Sequence, residues 1–423
     1  MICIEQLPSE VLEHILLYLS PGDIYSWNEA CGVELSGSFW KRTCLRDGVI
    51  AKEEEKEINN WKEEYFAYLN WKIGNFHRRN FLCAHQPVKI HKSNVFIPCG
   101  NKLNVCSVED GECVEEVLMS KKVDIFGAYV VSVEGEIVRV YKYSCGTYSH
   151  FRTIVVHAKE VSISVDRASE CSLCRDEITA TMNDDHVVLY QHRHKLLTVV
   201  NLESNTFTHH DIDCSFLFGL NISCNRLYTL LLSCNKYIVT GYNLTSKHWH
   251  GPVVVSQNAA GVLVPKLLCN DALIVALVTF FISSYNTLKV LSGGGETLHL
   301  VQIDNNLYWF CLERDRIVYP KSSSVLEVWD SHRPETVKTI TVDPGFTSGI
   351  TVSTCVLVVV YECHLDVYNY YDCLRLYTIV FDEPKLVPLI NKWYCVVFCE
   401  DGNNVSVYDF KKGRHKREII NYD

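Results

Sequence analysis

The chain has 423 residues, a formal net charge of −10 and a pI near 5.9, with 48% hydrophobic, 21% charged and 11% aromatic residues. That length holds two or three domains or one large one, and the composition is that of a globular protein. The acidic balance argues against a general nucleic-acid binder, which carries a basic footprint.

Leu7-Pro8 opens the first helical signal, and Pro8 suits a first helical position because its missing N–H costs nothing there. Glu10 and Glu13 follow where the helix dipole favours negative charge. Leu12, Ile15, Leu16 and Leu19 recur at i, i+3, i+4 and i+7, which makes one apolar face. Ser20-Pro21-Gly22-Asp23 restarts the chain as an N-cap, first-turn proline and capping-box acid. Ile24, Trp27 and Cys31 then mark a second helix, and Phe39, Trp40, Cys44 and Leu45 a third. About 45 residues is near the lower limit for independent folding. These helices therefore dock on something, either the rest of this chain or a foreign surface.

The order of residues from Leu7-Pro8-x-Glu10-Val11-Leu12-x-x-Ile15-Leu16-x-x-Leu19-Ser20-Pro21-x-Asp23-Ile24 to Cys31 and Phe39-Trp40-Lys41 resembles an F-box. That resemblance covers about a tenth of the chain. It implies a helical module that binds the adaptor Skp1 and, through it, a cullin–RING ubiquitin ligase. On the same resemblance the adaptor-contacting positions are Leu7, Pro8, Leu12, Ile15, Leu16, Leu19 and Trp40. One departure stands out: the segment between Cys31 and Trp40 is shorter than in that family and carries two glycines.

Lys52 to Glu57 is a solvated charge run, after which Trp61, Tyr65, Tyr68 and Leu69 recur at helical spacing until Gly74, a C-terminal signal. Asn70-Trp71-Lys72-x-Gly74 resembles the segment joining F-box to propeller in F-box/WD-repeat proteins. His77, Arg78 and Arg79 read as exposed linker, with a phosphate contact as the less favoured alternative. From about Phe81 short Val/Ile/Tyr/Leu runs alternate with Asn, Asp, Gly and Ser, which is the strand signal.

These runs repeat. An apolar strand ending in a large residue, followed by Asp/Asn or a substitute, recurs with the large residue at Cys106, Tyr141, Val200, Tyr242, Leu291, Trp329, Tyr368 and Tyr408, spaced about 40 residues apart as in four-stranded propeller blades. Val328-Trp329-Asp330 is the intact Trp-Asp pair, and His157-Ala-Lys-Glu-Val161 is the nearest relic of a Gly-His segment, so the array resembles a degenerate WD40 propeller. Eight blades are favoured over seven. The long interval between Tyr141 and Val200 holds Asp166 to Asp176, which reads as a loop inserted in the third blade. The final run, Arg414 to Tyr422, is a candidate last outer strand. The most apolar run, Ala272 to Ile282, is too short to cross a bilayer as a helix and reads as a buried strand.

Twenty cysteines scatter without a secretory leader at MICIEQLPSEV, so free thiols are expected. Cys171 and Cys174 form a CxxC, but His192 and His194 stand two apart and no second CxxC follows, so the pair reads as loop thiols. Gly293-Gly294-Gly295 lacks a following Lys-Ser/Thr and reads as a turn. No nucleophile–base set assembles. Arg139, Arg226, Arg314 and Arg316 fall at different offsets from their anchors and do not make a phosphate-reading ring.

The expected architecture is α+β and multidomain: an F-box over 1–47, a helical linker over 48–80 and an all-β propeller over 81–423. The expected function is that of a non-catalytic substrate receptor of a Skp1–cullin–F-box ubiquitin ligase, with a protein substrate on the propeller. The alternative is a propeller scaffold outside any ligase. No cofactor, metal, nucleic acid or membrane is expected, the substrate-binding residues are not specified, and the location is cytoplasmic and/or nuclear.

Overall fold

The computed structural model describes residues 7–31, 34–49, 58, 60–82, 89–99, 102–109, 111–118, 122–126, 129–144, 147–157, 160–164, 178–223, 225–256, 266–270, 272–278, 285–304, 310–343, 349–353, 356–381, 388–398 and 404–411. The charge run at 52–57, the insertion at 166–176 with Cys171 and Cys174, and the run at 414–422 lie outside them. Four helices come first. Pro8 is the N-cap of α1 (Ser9–Leu16), so the helix starts one residue later than expected, with the Pro8 ψ still extended at 142°. α2 (Pro21–Cys31) starts as expected, since Ser20 Oγ accepts from Asp23 N at 3.3 Å and donates to Asp23 Oδ2 at 2.6 Å. α3 (Gly37–Arg46) is capped by Ser36, which accepts from Phe39 N at 3.1 Å. α4 (Trp61–Ile73) is capped by Asn60 and ends at Gly74, whose φ of +68° suits a residue without Cβ.

Among the described residues that follow, the strands form eight antiparallel sheets, seven of four strands and one of five. They span residues 89–118, 122–164, 178–211, 216–256, 266–304, 311–341 and 349–380, and the eighth joins 389–409 to 77–82. Seven of the eight sequence anchors are the penultimate residue of the third strand of a sheet, and the eighth, Tyr141, lies two residues before that place in the longer strand Ile137–Ser144. All are buried. The register beside Cys106, Tyr141, Leu291 and Tyr368 also shifts by a bulge against the fourth strand. The anchor is thus a repeated buried plug at a strand end.

The chain divides into two compact units, one of residues Met1–Ala84, Val108–Gly111 and Phe346–Asp423, the other of His85–Ser107 and Glu112–Gly345. The second unit holds six sheets, and each neighbouring pair shares an apolar cluster. Phe96 and Leu103 meet Val130 and Tyr148; Val140 meets Val187; Leu197 meets Leu227; Leu230 meets Ile274; and Leu288 meets Ile317. Leu273–Val278 is buried at every position, as expected for the most apolar run. Gly293-Gly294-Gly295 is the hairpin turn expected, with Gly295 at φ +90°. The stretch after Tyr141 departs from expectation. His157 ends the long strand Thr147–His157, and Glu160–Ser164 returns beside it as a fifth strand. Part of the long interval is therefore an added edge strand, and His157 and Val161 lie on the two paired strands.

In the first unit α1–α4 share one core with the seventh and eighth sheets. Leu16, Ile24, Phe39, Tyr68 and Trp71 belong to the same cluster as Val358, Val367, Val397, Tyr408 and Phe410. α4 makes the join. Trp71 stacks on Phe410 at 3.6 Å and donates to Lys392 O at 3.1 Å. Asn70 Nδ2 donates to Phe410 O at 2.8 Å, and Tyr377 Oη donates to Trp71 O at 2.6 Å. The buried Glu64 carboxylate accepts from Trp393 Nε1 at 3.2 Å and pairs with Lys392 at 3.0 Å. These bonds satisfy polar groups whose burial otherwise costs free energy.

Strand His77–Leu82 pairs with Asn404–Asp409, so segments from both ends of the chain build the eighth sheet. The run His77-Arg78-Arg79 is consequently strand and not linker. Arg79 is spent on structure: it pairs with the fully buried Asp409 at 2.6 Å and donates to Glu109 O at 2.8 Å. Among the described residues no helix is long and apolar enough to cross a membrane.

Candidate partner-docking face

α1 carries a wider apolar arc than its core needs. At about 100° per residue, Tyr18, Val11, Ile15, Pro8, Leu19, Leu12 and Leu16 follow one another around the helix and its C-terminal extension. Leu12 and Leu16 are buried against Phe39, Trp40 and the other helices. Leu7 and Leu19 are half-buried and Pro8 is exposed. Ile15 is 47% exposed, Val11 45% and Tyr18 80%. Of the seven expected adaptor contacts, Pro8 and Ile15 therefore face outward, and Leu12, Leu16 and Trp40 line the core. Val11 and Tyr18 complete the outward stripe at i, i+3, i+7 and i+10 from Pro8. Their spacing was visible in the sequence; the richer Leu12–Leu16 face obscured it.

The module is braced from beneath. Glu13 is buried on the inner side of α1, accepts from Ser36 N at 2.8 Å and pairs with Arg42 at 3.3 Å, which ties α1 to the start of α3. Arg46 reaches from the end of α3 to the carbonyls of Leu17 and Leu19 while pairing with Asp47 at 2.6 Å. The Asp47 hydrogen bond raises the Arg46 pKa. Tyr65 Oη also donates to Asp47 at 2.6 Å, and burial first, then Asp47, raises its pKa. Burial, followed by the charges of Glu64 and Asp47, pushes the Cys44 thiol up to about 12, so it is an inert core group. Trp40 is enclosed by Phe39, Tyr65 and Phe66.

The propeller arginines are engaged structurally. Arg139 pairs with Glu134 at 2.8 Å, Arg226 donates to Gly293 O at 2.7 Å, and Arg316 pairs with Asp330 at 2.8 Å. Each of these three guanidinium groups thus holds a partner within the fold. His192 shares a hydrogen bond with Thr179 Oγ1 at 2.8 Å.

No protein-family model matches the chain, and no curated protein matches it in sequence. Solved structures do match in shape. The computationally designed Ika8 protein superposes with a TM-score of 0.54 at 12% identity, covering 78% of this chain and 98% of that one. The Dos1 propeller superposes with a TM-score of 0.53 at 8% identity, covering 81% and 97%. The fold is an eight-bladed β-propeller. The eight sheets are its blades, and the sheet built from both ends of the chain is the eighth. At such identities the likeness concerns fold alone. Loops carried on a rigid scaffold of this kind suit protein–protein interaction.

Proposed function

We propose that the chain is a non-catalytic substrate-recognition subunit of a Skp1–cullin–F-box ubiquitin ligase, in which α1 meets Skp1 and the propeller holds the protein to be ubiquitinated. One observation carries the reading: Pro8, Val11, Ile15 and Tyr18 stay outside although the core beneath α1 is complete. An exposed apolar helix face of this kind fits an amphipathic partner surface. The chain then contributes proximity between target and ubiquitin donor, with no side-chain chemistry of its own.

The test is recovery of Skp1 and a cullin with the full-length chain. Val11→Glu with Ile15→Glu places two carboxylates on the stripe without touching the core. Burying each apolar side chain is worth about 1.5–3 kcal/mol, so adaptor recovery is expected to fall at least about 100-fold. Recovery at the unmodified level refutes the reading. Skp1 without a cullin indicates an adaptor complex that is not a ligase.

A second reading, a scaffold outside any ligase, draws on the core that α1–α4 share with the seventh and eighth blades. It expects no adaptor with either protein and an unchanged set of propeller partners.

A further inference from the structure

The histidines of this chain are mostly committed to neighbours. His91, His150, His209 and His299 each share a hydrogen bond with a hydroxyl, at 2.8 to 3.0 Å. His248 and His250 are different. Both lie on His248–Ser256, the outermost strand of the fourth blade, and both are exposed. Neither ring has a hydrogen bond, ion pair or ring contact among the described residues.

The residue between them fixes their direction. Trp249 lies across from Tyr242 in the ladder, packs on its ring at 5.0 Å and meets His210 edge-on at 5.7 Å. Side chains alternate along a strand, so His248 and His250 project together from the opposite face, about 6.5–7 Å apart at their bases. Their cross-strand neighbours are Asn243 and Gly241. Asn243 Oδ1 is turned to the backbone N–H groups of Thr245 and Ser246. Gly241 offers no side chain; a Cβ built there would meet the Tyr228 ring at 3.2 Å and stop 4.0 Å from the His250 Cβ. The two imidazoles therefore stand exposed on one face of a strand held by a ladder and an aromatic anchor, with the Tyr228 ring covering Gly241 beside them.

We propose that His248 and His250 form a two-imidazole chelate for a divalent transition-metal ion on the outer edge of the fourth blade. Neutral imidazole nitrogens bind zinc, copper and nickel at about 2.0–2.1 Å, and flexing both rings inward brings two such nitrogens to one ion across this spacing. Prior ordering of the strand by Trp249 lowers the entropy cost of closing the chelate. Two protein ligands leave coordination positions open, so the ion remains accessible to water or to a further donor.

The experiment uses untagged full-length chain with its exposed thiols, such as Cys234 and Cys363, alkylated beforehand. The probe is Ni2+, first immobilised on a nitrilotriacetate resin, which leaves adjacent positions free for two imidazoles, and then free in solution by calorimetry. His248→Asn and His250→Asn are each expected to elute at lower imidazole and to lose at least about tenfold in affinity, because either change removes the chelate advantage. His332→Asn, which alters an exposed histidine whose ring pairs with Asp315, is expected to match the unmodified chain. No retention of the unmodified chain, or equal retention of the His248→Asn/His250→Asn double variant, overturns the proposal.

Discussion

Removing Arg79 tests whether the eighth blade depends on one buried ion pair. Asp409 is fully buried, and its Oδ2 lies 2.6 Å from Arg79. Deleting one partner of a buried pair strands the other charge and typically costs about 3–5 kcal/mol. Two features favour the lower end: the Lys411 N–H still donates to Asp409 Oδ1 at 2.9 Å, and the Arg79 side chain is 20% exposed. A loss of about 3 kcal/mol is a large part of the 5–15 kcal/mol that holds a typical protein folded. With a urea slope of about 3 kcal/mol/M, Arg79→Met should lower the unfolding midpoint by about 1 M. Arg79→Met combined with Asp409→Leu removes both charges, and this double variant should be more stable than Arg79→Met alone. A cost below about 1 kcal/mol for Arg79→Met, or a double variant at the sum of the two single losses, would refute the argument.

Two further outcomes are expected. Gly111 has φ +77°, and a Cβ there would lie 2.6 Å from the Phe81 ring. Gly111→Ala should therefore cost about 2–4 kcal/mol from backbone and overlap together, and Phe81→Ala introduced with it should cost less than the two changes apart. Calorimetric melting of the four proteins checks this. Burial first, then the charges of Lys92 and Lys89, pushes His91 down to about 4 from 6.5. Between those values the unfolded chain binds more protons than the folded one, so stability rises with pH through that window and is lost as pH falls. His91→Gln should flatten the stability–pH slope between pH 4 and 6.5 while leaving pH 8 less affected. An unchanged slope would show that His91 does not titrate between the two states in that way.

Blade number was legible because the propeller repeats one physical demand eight times. Each third strand ends in a side chain that must fill space between layers, and volume satisfies it where residue identity varies: Cys106, Leu291 and Trp329 occupy equivalent places. Strand ends therefore mark the blades although the sequence holds a single Trp-Asp pair, Trp329-Asp330. The fifth strand of the second blade was not legible, since Thr147–His157 and Glu160–Ser164 form an ordinary hairpin with nothing local to say which strands it joins. The role of Arg79 was hidden for another reason. Its partner lies 330 residues away in the chain, and a basic pair beside a helix end looks alike whether it faces water or a distant aspartate.

The face of α1 shows where pattern reading stops. Periodicity identifies the whole apolar arc and is silent on which part the rest of the chain consumes. Leu12 and Leu16 are taken by α3, α4 and their neighbours, and what is left over begins one step round the helix, at Val11 and Ile15. A substitution at Leu12 or Leu16 therefore tests folding, whereas one at Val11, Ile15 or Tyr18 tests association. The strand His248–Ser256 makes the same point with period two. Trp249 is consumed by packing on Tyr242, and that commitment is what turns its two histidine neighbours together toward solvent.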